Sequence, residues 1–347
     1  MKFPEFFHVN RSKIQAHKIY NQRIAAATEV YDLYNDKFLH RNCPACGSKI
    51  KEHMPKFLGK YEIVSCSDCS MIYTSPCPSN EALDYYYNNT ECNKSFVKIL
   101  QQRALDKKNF IFSERGRQVE KIFQELLSNK DKISILEIGC SSGMFLAEVR
   151  HMLESEFKIS NVNIFGIDID RSAISQNVEK KNNLLPLDLK EFKIKNPSLK
   201  FDVIFHFELI EHLFNPQEFL SICNELLNAD GKMFFHTPNV DGFDNKMVPY
   251  WEERPLAHSI FPPMHINSFS DKTIKVILQN NGFNVLKIET PGVFDSQIVR
   301  SFQTTESISK FGVDLRNASS ETLASVQSSI IAIRRSSHMT VYSEKSK

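Results

Sequence analysis

The sequence predicts an α/β fold with a doubly wound, mostly parallel sheet of seven strands, preceded by a small cysteine-rich module. From residue 133 onward, short apolar segments alternate with polar segments of helical periodicity. This alternation is typical of a parallel sheet with right-handed crossovers. Before residue 80, by contrast, Cys, Pro, Ser and Gly are frequent, which indicates a loop-rich module.

The apolar segments define the strands. We predict six of them, at 133–138, 162–168, 184–187, 201–207, 231–236 and 283–289. Helices are predicted near 143–154, 171–179, 216–228 and 270–280, and Asn281-Gly282 ends the last one. A further helix near 319–334 leads to an apolar segment, residues 338–342, that predicts a seventh strand at the edge of the sheet.

Four segments follow from these patterns. Residues 1–40 contain an amphipathic helix, because apolar side chains recur at helical intervals between residues 10 and 38. This helix offers a surface for oligomer formation. The remaining segments are a metal-binding module at 41–80, a helical linker at 81–128 and the sheet domain at 129–347. The sheet domain includes an insertion at 240–268 and a carboxyl-terminal helix and edge strand at 319–345.

Composition and charge limit the kinds of partner and the location that we expect for this protein. Of the 347 residues, 41% are hydrophobic and 24% are charged, which is ordinary for a protein that buries a core. We expect no membrane insertion and a cytoplasmic location, since no apolar run is long enough to span a bilayer and the amino terminus lacks signal-peptide features. The net charge of +2 and the scattered lysines disfavour nucleic acid as a partner.

Four cysteines form two C-x-x-C pairs, Cys43 with Cys46 and Cys66 with Cys69. Four thiolates are enough for one tetrahedral zinc ion, and they leave no open coordination position, so we predict structural Zn²⁺. Redox-active dithiols or free thiols are the alternatives.

A glycine loop follows the first predicted strand of the sheet. Gly139 permits a sharp turn out of the strand, and Gly143 permits close approach of a ligand as the next helix begins. Ser141 and Met144 occupy positions where a dinucleotide-binding loop needs glycine, and the Gly-Lys-Ser/Thr of a phosphate-binding loop is absent. Glu137 would repel a pyrophosphate and suits a ligand that carries an ammonium group.

A second acidic position follows the next strand. Asp168 can accept two hydrogen bonds from a ribose diol. Asp170 is expected to cap the following helix.

Over residues 130–290 and the edge strand, these features resemble the class I S-adenosylmethionine-dependent methyltransferases, which have a Rossmann-like sheet. The resemblance implies that S-adenosylmethionine is the cofactor, that Asp168 binds its ribose and that Asp188 lies near its adenine. Many members have a middle glycine where this chain has Ser141. The cofactor-binding residues expected from this resemblance are Glu137, Gly139, Ser141, Gly143, Asp168, Asp188 and Phe207.

The stretch FDVIFHFELIEHL at 201–213 resembles the branch that methylates small molecules, including quinone precursors and sugars. Thr-Pro-Asn at 237–239 and H-x-x-x-F-S at 265–270 also match that branch. Neither the Asn/Asp-Pro-Pro-aromatic motif of base N-methylation nor a nucleophilic cysteine is present near the fourth strand.

The insertion should lie over the transferred methyl group. A hydroxyl acceptor must lose a proton, and histidine titrates in the right range. The catalytic candidates are His258, His265, Tyr250 and His212. The alternative for each histidine is a structural hydrogen bond, and Glu211 has the alternative of packing and capping the next helix.

The order of cysteine module, SPCPSNEALDYYY and methyltransferase-like sheet resembles bacterial enzymes with an amino-terminal zinc-binding module, some of which methylate nucleotide-linked sugars or act in surface-glycan pathways. In the sugar enzymes a Tyr and a His work near the sugar, and Tyr250 and His258 are candidates for these roles. We therefore expect O- or C-methylation of a small-molecule acceptor. The alternatives are a ribosomal RNA methyltransferase and a non-catalytic cofactor-binding scaffold.

Overall fold

The computed structural model describes residues 13–92, 118–120, 122–124, 126–127, 131–247, 259–292, 295–296, 314–315 and 317–346. Two sheets organise these residues, one of four strands and one of seven. Among the helices described, none is both long enough and apolar enough to cross a membrane.

The amino-terminal part begins with a single long helix, which the sequence predicts. Its elements are α1 (Lys13–Tyr34), a 3₁₀ turn (Asn35–Lys37), β1 (Lys51–His53), β2 (Ile63–Cys66), β3 (Ile72–Thr74) and α2 (Asn80–Asn89). The three short strands form antiparallel pairs in the order β1-β2-β3. The rest of the predicted linker, residues 93–117, lies outside the described residues.

The large sheet confirms the predicted fold class, with strand order β10-β11-β8-β7-β4-β5-β6. Strands β8, β7, β4, β5 and β6 are parallel, and β11 is antiparallel to both its neighbours. The prediction that residues 338–342 form an edge strand is wrong, because β11 lies between β10 and β8 and β10 is the strand at the edge. The elements are β4 (Lys132–Ile138), α3 (Met144–Ser155), β5 (Asn161–Ile167), α4 (Arg171–Ser175), β6 (Asn183–Leu185), α5 (Leu189–Lys195), β7 (Phe201–Phe207), a 3₁₀ turn (Ile210–His212), α6 (Pro216–Leu226), β8 (Leu227–Pro238), α7 (Phe243–Met247), β9 (Asn267–Ser268), α8 (Asp271–Asn280), β10 (Phe283–Glu289), α9 (Ser320–Ala332) and β11 (His338–Lys345).

Several element boundaries differ from the prediction. The helix predicted at 171–179 ends at Ser175, and α5 is a short helix that the sequence does not predict. Strand β8 starts at Leu227, so residues 227 and 228, which are predicted to end the helix at 216–228, belong to this strand instead. These differences lie where apolar spacing is ambiguous between helix and strand.

Both faces of the sheet are buried, which explains the continuous apolar runs in its central strands. On one face, Phe205 of β7 packs in a core with Phe145 and Leu146 of α3. On the other face, Ile204 shares a core with α6 and α8. Tyr73 of β3 belongs to that second core, so the cysteine module packs on the sheet domain.

Strand β9 comes from the predicted insertion, yet it pairs with β3 of the cysteine module. Ile72 lies opposite Ser268, and Tyr73 lies opposite Asn267. The sheet of the module is therefore completed by a segment that follows it by nearly two hundred residues.

Arg41 connects three chain segments at this junction. Its Nε donates to the carbonyl of Thr74 (3.1 Å), Nη1 to that of Phe214 (2.9 Å) and Nη2 to that of Ile266 (2.8 Å). The guanidinium also lies 5.5 Å from the ring centroid of Tyr73 and 5.7 Å from that of Phe214. One side chain thus holds the module, the turn after β7 and the segment before β9 in register.

We predict that Arg41→Met lowers the free energy of unfolding by about 3 kcal/mol, because three partly buried carbonyls lose a charged donor. Urea unfolding followed by circular dichroism measures this change. Arg171→Met, which alters an exposed arginine of α4, is the control and should change stability by less than about 0.5 kcal/mol. Equal stability of the Arg41 variant and the wild type would contradict this role.

Candidate functional site

The loop between β4 and α3 has the tight turns that the sequence predicts. Gly139, Ser141 and Gly143 have φ values of 79°, 50° and 73°, in the left-handed region. The amides of Gly139 and Cys140 both donate to the carbonyl of Ile167, at 2.8 and 3.1 Å. These bonds fix the loop against the end of β5, and its backbone leads into the first turn of α3.

Gly143 has a second constraint besides its φ value. A Cβ atom at this position would lie 2.6 Å from Cδ1 of Leu184. The loop therefore requires glycine here for both backbone conformation and space.

Asp168 lies at the carboxyl end of β5, beside this loop. Its Oδ2 accepts from the amide of Ser141 and its Oδ1 from that of Asp170, both at 2.8 Å. Burial raises the pKa of Asp168, while these backbone bonds act to lower it. The structure thus brings Ser141 and Asp168 together, as expected of two residues that surround one ligand. Asp170 caps α4 through the amides of Ser172 and Ala173.

The other predicted cofactor residues lie around the same edge of the sheet. Glu137 is buried at the end of β4. Phe207 ends β7, and its ring lies 4.8 Å from that of Phe145. Asp188 is exposed and caps α5 by accepting from the amide of Glu191 at 2.8 Å. Contact of these side chains with a cofactor stays a prediction.

A buried polar cluster lies next to this loop, after β7. It consists of Glu211 and His212, from the 3₁₀ turn, and His265, which precedes β9. One ligating atom of each lies within 4.8 Å of the others. Nε2 of His212 is 3.7 Å from Oε1 of Glu211, and the two imidazole centroids are 4.7 Å apart. The structure therefore brings together two of the four predicted catalytic residues, His212 and His265.

Burial shifts the ionisation of this cluster. It raises the pKa of Glu211 well above its usual range, and repulsion from Glu208 acts in the same direction. Burial also lowers the pKa of His212 to about 4, so this imidazole is neutral at physiological pH. The hydroxyl of Thr237 donates to Oε2 of Glu211 at 3.0 Å.

Glu208 precedes the cluster with a left-handed backbone, at φ 52°. Its carboxylate lies 3.3 Å from Nε2 of His338 in β11. Burial lowers the pKa of His338, but attraction to Glu208, the hydrogen bond with Glu208, and the charges of Asp244 and Glu211 together outweigh it and raise that pKa to about 9. The turn after β7 thus carries two carboxylates, and the strained backbone at Glu208 is typical of functional sites.

Tyr87 is a member of this site that the sequence does not reveal. Its hydroxyl lies 3.1 Å from Nδ1 of His212, although it comes from α2, 125 residues earlier. The run of three tyrosines at 85–87 is the only signal, and it does not show which ring faces the site. The other two catalytic candidates, Tyr250 and His258, lie outside the described residues.

The four predicted metal-binding cysteines also come together. Sγ of Cys43 lies 3.5 Å from that of Cys69, and Sγ of Cys46 lies 3.6 Å from that of Cys66. Four thiolates around zinc, with bonds of about 2.3 Å, have sulfur atoms about 3.8 Å apart. The cluster therefore fits a tetrahedral metal ion closely. All eight cysteines of the chain are free thiols.

The two C-x-x-C segments have matching backbones. The amides of Gly47 and Ser70 donate to the carbonyls of Cys43 and Cys66, both at 2.9 Å. Gly47 and Ser70 are also both left-handed, with φ values of 79° and 69°. The second turn therefore places serine where the first has glycine.

Comparison with known proteins is consistent with this architecture. A family model described as a methyltransferase domain matches residues 111–288. A ubiquinone biosynthesis O-methyltransferase of Nitrosococcus oceani is 26% identical over 110 residues, which cover 30% of this chain and 43% of that protein. A probable S-adenosylmethionine-dependent methyltransferase of Mycolicibacterium smegmatis is 25% identical over 188 residues, covering 51% and 62%. The chain thus spans about half the length of these curated relatives.

Among solved structures, the plantazolicin methyltransferase BpumL, in complex with a monoazolic desmethylPZN analogue and SAH, is similar with a TM-score of 0.48. It is 17% identical, and the alignment covers 76% of this chain and 94% of that one.

We predict that Ser70→Gly raises the free energy of unfolding by about 1 kcal/mol, because glycine removes the cost of a left-handed backbone. The reciprocal change, Gly47→Ser, should lower the free energy of unfolding by a similar amount, because serine carries the cost of the left-handed backbone. No steric clash adds to this cost, since a Cβ atom at this position would meet no atom within 4 Å. Urea unfolding at a fixed zinc concentration measures both. Effects of the same sign in the two variants would contradict the matching of the two turns.

Proposed function

The chain belongs to the methyltransferase-domain family, and from this premise we propose that it transfers the methyl group of S-adenosylmethionine to a small-molecule acceptor. The observation that carries the proposal is the position of two sites at one edge of the sheet. The loop from Gly139 to Gly143 follows β4, whose carboxyl end carries Glu137, and the cluster of Glu211, His212 and His265 adjoins the end of β7, the neighbouring strand.

The first site has the chemistry to hold the cofactor. Glu137 offers a carboxylate to an ammonium group, and Asp168 offers one to a ribose diol. The left-handed turns at Gly139 and Gly143 allow the ligand to approach the backbone closely. Asp188 and Phe207 complete the proposed cofactor site.

The second site has the chemistry to hold an acceptor. Methyl transfer is an in-line displacement, in which the acceptor atom forms a bond to the methyl carbon while the sulfur keeps the electron pair of the broken bond. Orientation supplies much of the acceleration. A hydroxyl acceptor also loses a proton, and we propose that the buried Glu211 and His265 and the partly buried His212 assist that loss.

Residues 259–270 are all buried, and Phe261 packs with Phe57 of the cysteine module. Such an enclosed segment beside the cluster favours a small acceptor. A nucleotide-linked sugar or a surface-glycan precursor, methylated at oxygen or carbon, is the acceptor class that we propose. Tyr250 and His258 remain candidates for contact with it.

We further propose that Cys43, Cys46, Cys66 and Cys69 bind one structural zinc ion. The sulfur distances fit it, and four thiolates complete the coordination of zinc. We also propose a cytoplasmic location, because a reducing compartment keeps these four cysteines available for zinc.

The test of the proposed function is incubation of the protein with methyl-labelled S-adenosylmethionine and a fractionated small-molecule extract. We expect a labelled product with the wild type, identified by mass spectrometry. Asp168→Ala should weaken cofactor affinity at least about tenfold in calorimetry, because two charged hydrogen bonds to the ribose are lost. Asp170→Asn is the matched control and should bind normally, since asparagine also caps a helix.

Absence of any labelled product together with normal cofactor binding would refute methyl transfer to a small molecule and favour a binding scaffold. Equal cofactor affinity of Asp168→Ala and the wild type would refute the proposed ribose contact.

For the cysteine site, we predict that a mercurial thiol reagent releases one zinc ion per chain from the wild type. Release should fall to near zero in Cys69→Ser, because three thiolates hold zinc far less tightly. Cys223→Ser, which alters a buried cysteine of α6, is the control and should release a full equivalent. A colorimetric zinc indicator measures the release, and its absence in the wild type would refute the zinc site.

A further inference from the structure

We propose that Glu211, His212 and His265 bind a divalent transition-metal ion, at a second site distinct from the four cysteines. The inference rests on the proposed function and deepens it, because the ion would lie where the acceptor is expected. Two imidazoles and one carboxylate suit Mn²⁺, Fe²⁺, Co²⁺ or Zn²⁺ better than Mg²⁺ or Ca²⁺, which prefer oxygen.

The geometry of the cluster is close to that of a metal site. Ligand atoms at about 2.1 Å from an ion are about 3.0–3.4 Å apart in octahedral or tetrahedral coordination. Nε2 of His212 and Oε1 of Glu211 are 3.7 Å apart, and a ring nitrogen of His265 lies within 4.8 Å of both. Side-chain rotations that move these atoms by an ångström or less would close the coordination.

His212 faces Glu211 with one ring nitrogen and a backbone carbonyl with the other. Nδ1 lies 3.0 Å from the carbonyl oxygen of Met264, which can only accept a hydrogen bond. With the proton on Nδ1, that nitrogen donates to Met264, and Nε2 keeps a lone pair 3.7 Å from Oε1 of Glu211. A metal-binding histidine has this arrangement, with its other ring nitrogen donating to a backbone carbonyl.

Glu211 has the complementary arrangement. Its Oε2 accepts from the hydroxyl of Thr237, whereas its Oε1 has no hydrogen-bond donor among the described residues. The side chain is only 1% exposed, so water does not reach the carboxylate freely. Nε2 of His212 and Oε1 of Glu211 thus face each other 3.7 Å apart in a largely buried space, and a cation between them would bind to both.

The backbone holds the ligands before any ion binds. The amide of Ile266 donates to the carbonyl of Glu211 at 3.0 Å. The side-chain amide of Asn267 donates to the carbonyls of Ile210 and Leu213, at 3.1 and 2.7 Å. Adjacent bonds on both sides of the cluster fix the segment with His265 against the turn with Glu211 and His212, and such preorganisation favours metal binding.

Three protein ligands leave coordination positions open, unlike the four cysteines. A divalent ion there would lower the pKa of an acceptor hydroxyl, so that its proton leaves to water as the oxygen takes the methyl group. The substrate class that this site favours is therefore an alcohol or phenol, and the reaction is O-methylation.

The experiment measures how many metal ions each chain binds in addition to the zinc ion that a thiol reagent releases. Elemental analysis of the full-length protein gives the metal retained on purification, and titration with Mn²⁺, followed by the EPR signal of the free ion, gives the remaining capacity. Mn²⁺ leaves the tetrathiolate zinc in place because it prefers harder ligands. We expect a total of one additional ion per wild-type chain, and at least about tenfold weaker binding in Glu211→Gln and in His265→Gln.

His151→Gln, at an exposed histidine of α3, is the control and should bind the ion as the wild type does. Circular dichroism, cofactor affinity and thiol-released zinc show whether each variant is folded. A wild type with no additional ion, or both site variants folded and binding it like the wild type, would overturn the inference.

The same measurements separate this inference from the proposed function. Methyl transfer that EDTA does not inhibit, in protein without the additional ion, would refute the metal site and leave methyl transfer standing. Binding of the ion without any transfer would support the metal site and refute the function.

Discussion

The backbone of Ile266 is the point on which the arrangement of this protein depends. Its amide donates to the carbonyl of Glu211, and its carbonyl accepts from both the amide of Thr74 and the guanidinium of Arg41. A single peptide segment therefore links the cysteine module to the turn after β7. Because the neighbouring residue is His265, the position of this histidine is determined from both sides. The cysteine module thus packs directly against the segment that carries His265 and is not a separate attachment.

The fold could be predicted from sequence because its signals are local. Apolar runs give the strands, and the turn glycines mark the loop at Gly139 and Gly143. The pairing of β3 with β9 could not be predicted, since two residues of β9 carry no periodicity and their partners are distant in the chain. Tyr87 was missed for a similar reason, because its contact with His212 depends on how α2 packs on the sheet domain. The sequence shows that His212 and His265 are candidates, but only the packing brings them to one place.

Two kinds of ligand set occur within one continuous core. The cysteines offer soft thiolates in a closed set of four, which suits a structural zinc ion. The cluster at Glu211 offers harder nitrogen and oxygen donors in an open set of three, which suits an ion that also contacts substrate. Because the ligands differ, each site would select a different metal ion even though both lie in the same core. This difference would allow one chain to bind a structural metal ion at the cysteines and a catalytic metal ion at Glu211.

The late completion of the module's sheet has a consequence for synthesis on the ribosome. About 190 residues separate Thr74 from Ile266, and at usual rates of elongation they take roughly 10–40 s to make. During that interval β1, β2 and β3 have emerged, but the outer edge of β3 has no partner strand. Such an edge readily pairs with other chains. Early capture of a metal ion by the four cysteines would hold this small unit in its folded shape until β9 is made.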